Sequence, residues 1–117
     1  MNANASEEVK DDRIICGMTT EERSAVIDNV ANLSKDCGKD IVLIGSGDEA
    51  NALAAAIVGY DSKTYSVCYD YDRLVEAMAE FNGWTPMDAI EWIEFNTMRS
   101  LDYLDAETVP KIIMKFV

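Results

Sequence analysis

The chain has 117 residues, 49% of them apolar, and its 10 Lys plus Arg against 22 Asp plus Glu give a net charge of −12. That size and apolar content suffice for one hydrophobic core, while the charge disfavours nucleic acid and anionic lipid as direct partners and attracts basic protein surfaces over a Debye length of ~10 Å. Histidine is absent, which removes the commonest general base and metal ligand together with every Ser-His or Cys-His nucleophile pair.

Met1–Asp12 is rich in Asn, Ala, Ser and acid, with Val9 as its core candidate. It is expected to be a flexible N-terminal segment ahead of a single domain over 13–117. Arg13–Met18 reads as a short strand or an apolar tether. Thr19 with Glu22 predicts a capping box, and Val26, Ile27, Val30 and Leu33 follow at helical spacing up to Gly38. The first helix should therefore cover Thr20 to about Asp36. Ile41–Gly45 is β-branched and bounded by turn residues, the pattern of a buried strand. Ser46–Asn51 should form a turn or short helix. Ala54–Tyr60 and Thr64–Tyr69, joined by Asp61-Ser62-Lys63, then read as the arms of a hairpin, in competition with the helix propensity of the alanines.

Asp70 is placed to cap a second helix with Leu74, Val75, Met78 and Phe81 on its apolar side and Asn82-Gly83 at its end. Thr85-Pro86 restarts the chain as a helix. Its proline sits where a missing N–H costs nothing, and Asp88 completes a capping box. Ile90, Ile93 and Thr97 mark the inner side, with Ala89 and Trp92 widening it, to about Leu101. Val109–Val117, with Pro110 near its start, reads as an edge strand. This order implies an α+β fold: a small mixed or antiparallel sheet, made of the hairpin plus one or two further strands, with about three helices packed on it.

The cysteines Cys16, Cys37 and Cys68 form no CxxC pair, and an odd number suits reduced thiols acting as small buried hydrophobes. No basic segment precedes an apolar run. The longest such run, Ala52–Val58, is far below the roughly 20 residues that cross a bilayer, so a cytoplasmic location without membrane contact is expected.

Charge is concentrated in Asp70–Glu107, which carries ten acidic residues against Arg73 and Arg99, a balance of −8. Asp72, Glu76 and Glu80 stand at i, i+4 and i+8 along one helix, and Asp88, Glu91 and Glu94 drift around the next. Like-charge rows weaken a helix slightly, which makes them a candidate docking face for a basic protein, weighed against a plain solvated surface. As an imitation of duplex DNA, with one charge per ~1.7 Å, each row is several times too sparse. Trp92 and Phe95 cannot both point where Ile90 and Ile93 point. A partly exposed aromatic residue rimmed by acids has the composition of an interface hot spot, weighed here against core packing. The candidate partner-binding residues are therefore Asp72, Glu76, Glu80, Asp88, Glu91, Trp92, Glu94 and Phe95.

A second constellation is Gly45-Ser46-Gly47-Asp48-Glu49-Ala50, which matches GxGxxA after a predicted strand, with Asp70 as the acid that would hold a ribose. Gly45, Gly47 and Asp70 are thus an alternative nucleotide site. Against it, Asp48 and Glu49 would stand beside the phosphates, and the chain has no room for the remaining strands of a doubly wound sheet. A strand-ending turn accounts for the glycines. Asp70 and Asp72 could share Mg²⁺, yet helix capping and the helix dipole account for both. No catalytic residue, metal ligand or cofactor is assigned.

From Ile57 onward the chain resembles a group of small acidic proteins of bacteriophages and prophages. The resemblance rests on IVGYDSKTYSVCYDYDRLVEAM (Ile57 to Met78), GWTPMDAIEWIEFNTMRSLDYL (Gly83 to Leu104) and VPKIIM (Val109 to Met114); residues 1–50 fall outside it. It carries no reaction and no catalytic residue. It implies a mobile-element origin, and it supports the hairpin. Small acidic phage proteins are often inhibitors of host machinery, so the resemblance implies a protein that, in the bacterial cytoplasm, blocks a basic, nucleic-acid-binding host protein such as a CRISPR-type nuclease complex. Two alternatives are a small nucleotide- or Mg-binding enzyme using the Gly-Ser-Gly-Asp turn, and a self-associating phage accessory protein; the oligomeric state is open. Asn96 and Tyr69, inside the matching stretches, carry either structural or functional roles.

Overall fold

A computed structural model describes residues 13–116; the segment Met1–Asp12, expected to be flexible, and Val117 lie outside the described residues. Arg13–Met18 is a tight turn rather than a strand. Ile15 and Met18 exchange backbone hydrogen bonds of 3.0 and 2.9 Å around Cys16 and Gly17. Helix α1 (Thr20–Cys37) begins with the expected capping box, Thr19 Oγ1 accepting the Glu22 N–H and the Glu22 carboxylate accepting the Thr19 N–H. It ends at Gly38, whose φ of 72° is the left-handed conformation that glycine adopts without strain.

The expected strand Ile41–Gly45 does not form. Its amides are taken by side chains instead. Val42 N–H donates to Thr108 Oγ1 at 3.1 Å, Thr108 in turn donates to the Asp40 carbonyl at 2.6 Å, and Ile44 N–H donates to the Tyr69 phenolic oxygen at 3.0 Å. With those donors satisfied, β-branched residues pack without joining a ladder. Helix α2 (Gly47–Leu53) follows, and Ala54–Ala56 continues it as a 3₁₀ turn. The alanines thus follow their helix propensity, and all of Ala52–Ala56 is buried.

The hairpin is present with shorter arms than expected, β1 (Ile57–Tyr60) and β2 (Val67–Asp70), paired antiparallel with Tyr60 opposite Val67 and an irregularity between Ile57 and Gly59. Thr64–Ser66 belongs to the turn. There the Asp61 carboxylate accepts the Lys63 N–H at 2.8 Å and the Tyr65 N–H returns to the Asp61 carbonyl at 2.7 Å. Strand β3 (Lys111–Ile113), the central part of the expected Val109–Val117, lies parallel to β2, so the sheet is mixed in the order β1-β2-β3.

Helix α3 (Tyr71–Asn82) is capped by Asp70, which accepts the Arg73 N–H at 3.0 Å, and it buries Leu74, Ala77 and Met78. Helix α4 (Pro86–Trp92) is capped by Thr85, which accepts the Asp88 N–H at 3.2 Å; of the expected box, this half forms. The chain continues through a π-helical stretch, Ile93–Thr97, into α5 (Met98–Asp102). The architecture is α+β, with Ile15, Leu53, Tyr69, Leu74, Met78, Ala89 and Ile93 in the core. Cys16, Cys37 and Cys68 are free thiols, half-buried rather than fully buried.

Candidate partner-binding face

The junction between α3 and α4 positions the first aromatic residue of the face. Gly83, at φ 70°, returns its N–H to Ala79, and the Trp84 N–H reaches the same carbonyl at 2.9 Å. The second bond is the six-to-one closure of a Schellman motif, and it fixes the backbone of Trp84 one residue before the cap of α4. Trp92, two turns further along, meets Trp84 with ring centroids 5.5 Å apart and planes inclined at 54°. The rings form a corner. Trp92 remains 44% exposed and Phe95 63% exposed, so neither takes the core position that Ile93 occupies.

The π-helical stretch explains how so many outward residues follow one another. Met98 N–H bonds the Ile93 carbonyl five residues back, which adds a residue to that turn. Glu94, Phe95 and Asn96 are consecutive and all exposed, between buried Ile93 and half-buried Thr97. Glu94 is held from α3, its carboxylate accepting the Tyr71 hydroxyl at 3.0 Å. Burial and that carboxylate push the Tyr71 phenol above its ordinary pKa.

Asp72, Glu76, Glu80, Asp88, Glu91 and Glu94 are all exposed. Among the described residues none of them forms an ion pair. The pairs found there, Lys39–Glu107, Lys111–Asp61 and Lys115–Asp70, use other carboxylates. Two depressions meet at Trp84. One, of about 490 Å³, is lined by Trp84, Asp88, Glu91, Trp92, Phe95 and Asn96; the other, of about 360 Å³, by Asp72, Val75, Glu76, Ala79, Glu80 and Trp84 with Pro86. Seven of the eight sequence-selected residues line these two depressions, which share Trp84; Glu94 lines neither and is tied to α3 through Tyr71. Sequence reasoning left Trp84 and Asn96 outside the set. The i, i+4 spacing of Trp84, Asp88, Trp92 and Asn96 was the available signal.

Glu80 also has an internal role. Its carboxylate accepts the Cys16 N–H at 2.9 Å, and Cys16 Sγ lies with the Glu76 and Glu80 carboxylates in a group whose ligand atoms are within 4.8 Å of one another. These three side chains could ligate a divalent ion if the thiol lost its proton. Burial and the Glu76 carboxylate oppose that loss, pushing the thiol up to about 12.

The alternative nucleotide residues are otherwise engaged. Gly45 has φ 85°, and Glu49 folds over it so closely that a Cβ at Gly45 would stand 2.9 Å from Glu49 Oε1. A carboxylate thus lies against the turn, where it would repel a phosphate approaching the neighbouring Gly47. Gly47 opens α2, which has seven residues and no side-chain cap. Asp70 is 2% exposed, caps α3, and pairs with Lys115 at 3.4 Å, so its carboxylate is committed to the fold. Among the described residues no helix is long and apolar enough to cross a membrane. No protein-family model, no curated protein and no solved structure matches this chain.

Proposed function

We propose that the protein is a non-enzymatic binding protein whose acidic, aromatic-studded face on α3, α4 and the π-helical stretch docks a basic protein surface. The observation that carries this reading is the coincidence of five exposed carboxylates, outside any ion pair among the described residues, with an exposed Trp92 and Phe95 around two depressions that meet at Trp84. Carboxylates of this kind steer a cationic partner during encounter, and a held aromatic residue supplies the short-range attraction that slows its departure. A partner whose own basic surface binds nucleic acid would be blocked by occupancy. Together with the resemblance of Ile57–Met114 to small acidic phage proteins, this leads us to propose a phage-derived inhibitor of a nucleic-acid-binding host protein, a CRISPR-type nuclease complex among them, acting in the bacterial cytoplasm.

The test is capture from bacterial lysate by the wild-type protein and by a Glu76→Lys, Glu91→Lys variant, followed by competition of the captured protein with DNA. Glu80 is left in place because it holds the Cys16 amide. A basic partner lost from the variant, and displaced from DNA by the wild type, supports the reading. A partner retained equally by both proteins, or unaffected in its DNA binding, overturns it.

A further inference from the structure

We propose that the corner between Trp84, Trp92 and Phe95 is an arginine-binding notch, in which a partner's guanidinium lies on an indole face while its edge meets the carboxylates of Asp88 and Glu91. This proposal rests on the reading of the acidic face as the docking surface, and it names the chemical group that the surface selects.

The lining of the notch is the starting point. Trp84, Trp92 and Phe95 give it π-faces, Asp88 and Glu91 give it two negative charges, and Asn96 completes it. Along α4, Asp88 precedes Trp92 by four residues, so that carboxylate stands beside the ring at a Cβ separation of ~5–6 Å, and Glu91 lines the same depression as Phe95 of the π-helical stretch. A neutral apolar ligand would leave both charges desolvated without a partner, and an anion would be repelled. An organic cation satisfies both halves of the lining. The face of an indole attracts cations through its quadrupole.

Arginine suits the notch better than lysine for a geometric reason. A guanidinium is planar, so it can stack flat on a ring and still direct N–H groups within its own plane to two carboxylates. An ammonium is a compact, strongly hydrated charge. It can sit over a ring, as Lys39 Nζ does 5.6 Å from the Tyr65 centroid, but it has no plane to stack and no in-plane fork to offer two carboxylates. The chain shows the same mode internally: Arg13 lies 5.1 Å from the centroid of Phe81 while its Nη1 donates to the Glu80 and Phe81 carbonyls. The notch repeats that combination of ring and negatively polarised oxygen on the outer surface, with stronger acceptors.

The test uses two acetylated peptides of equal length and charge, four Gly-Arg repeats and four Gly-Lys repeats, titrated against the full chain at low salt. The chain has two tryptophans, both in the notch, so tryptophan emission reports this site directly. We expect the arginine peptide to bind roughly 3- to 10-fold more tightly and to change the emission. Phe95→Ala and Trp92→Ala should each reduce that preference while leaving the salt-dependent affinity for both peptides in place. If Trp92→Ala loses its far-ultraviolet dichroism, Phe95→Ala, altering a more exposed side chain, decides the matter. Equal affinity for the two peptides, with unchanged emission, overturns the arginine notch and leaves the docking face standing. Failure of both peptides to bind at low salt overturns the docking face as well.

Discussion

The phenolic oxygen of Tyr69 on the central strand accepts the backbone N–H of Ile44 at 3.0 Å, and thereby holds a segment outside the sheet against the core. Tyr69 is fully buried, and burial pushes its hydroxyl up to about 12. Removing that oxygen leaves a buried amide without an acceptor. Tyr69→Phe should therefore lower the unfolding free energy by about 1–3 kcal/mol, measured by urea denaturation with an unchanged slope. A variant as stable as the wild type would mean that water or a shifted backbone satisfies Ile44.

Tyr69 also shows where sequence reading stops. The capping box at Thr19, the glycine stops at Gly38 and Gly83 and the hairpin were legible because each depends on residues close to one another along the chain, and the edge strand was legible from its own β-branched run after Pro110 although its partner β2 lies 43 positions away. The fate of Ile41–Gly45 was not. It turns on Thr108 and Tyr69, 66 and 25 positions away from the amides that they satisfy. Acidic rows and aromatic residues on α3 and α4 could be read from spacing, but their meeting at Trp84 depends on the αL turn at Gly83 and on the π-helical stretch, which hydrophobic periodicity does not announce.

Arg23 is the other residue that periodicity conceals. It lies on α1 seven positions before Val30, is fully buried, and donates to the Arg13 and Met18 carbonyls, to Asn51 Oδ1 and to Thr20 Oγ1. A lysine has one nitrogen where these acceptors need a planar fork. Arg23→Lys should cost about 1.5–3 kcal/mol, and proton exchange at Ile15 and Met18, whose turn Arg23 clasps, should accelerate more than exchange at β2. Uniform acceleration across the chain would show instead that Arg23 supports the whole core.

Asp61 predicts an acid-side weakening. The hydrogen bond from Lys111 Nζ at 2.6 Å, with the Lys63 N–H, lowers its pKa to about 2. In the unfolded chain an aspartate titrates at about 3.9. A carboxylate with a depressed folded-state pKa contributes stability that is complete above the unfolded value and disappears as pH falls through the folded one. Stability conferred by the tie between the hairpin turn and β3 should accordingly fade between about pH 4 and about pH 2. Asp61→Asn should be less stable than the wild type at pH 7, and the difference should narrow towards pH 2. A difference that stays constant with pH would assign the effect to the turn hydrogen bonds alone.

Cys16 should be a sluggish thiol. Burial first, and the Glu76 carboxylate second, push it up to about 12, and the thiolate is the species that reacts with alkylating reagents. At pH 8, iodoacetamide should modify Cys16 far more slowly than a model thiol of pKa about 8.5. Glu76→Gln, which removes the larger of the two carboxylate contributions, that of Glu80 being the other, should speed the reaction without unfolding the chain. Mass spectrometry of the modified peptides separates Cys16 from Cys37 and Cys68, and model-like reactivity at Cys16 in the wild type would contradict this electrostatic account.

The acidic face itself predicts a conflict between stability and binding. Glu91 stands three residues after Asp88 on α4, a like-charge pair that weakens the helix by about 0.2–0.5 kcal/mol. Glu91→Lys converts this pair to an attractive one and should raise the unfolding free energy by up to about 1 kcal/mol at low salt. Added salt should stabilise the wild type, because the Debye length falls from ~30 Å at 0.01 M to ~3 Å at 1 M and repulsion within the row is screened. The same addition should do less for Glu91→Lys. A surface under no demand beyond solubility gains nothing from keeping so easily removed a strain, whereas a docking face must keep it. The decisive measurement is a salt series of thermal unfolding on both proteins. If Glu91→Lys is no more stable at low salt and responds to salt as the wild type does, the row carries no repulsive strain and this argument for its use in binding fails.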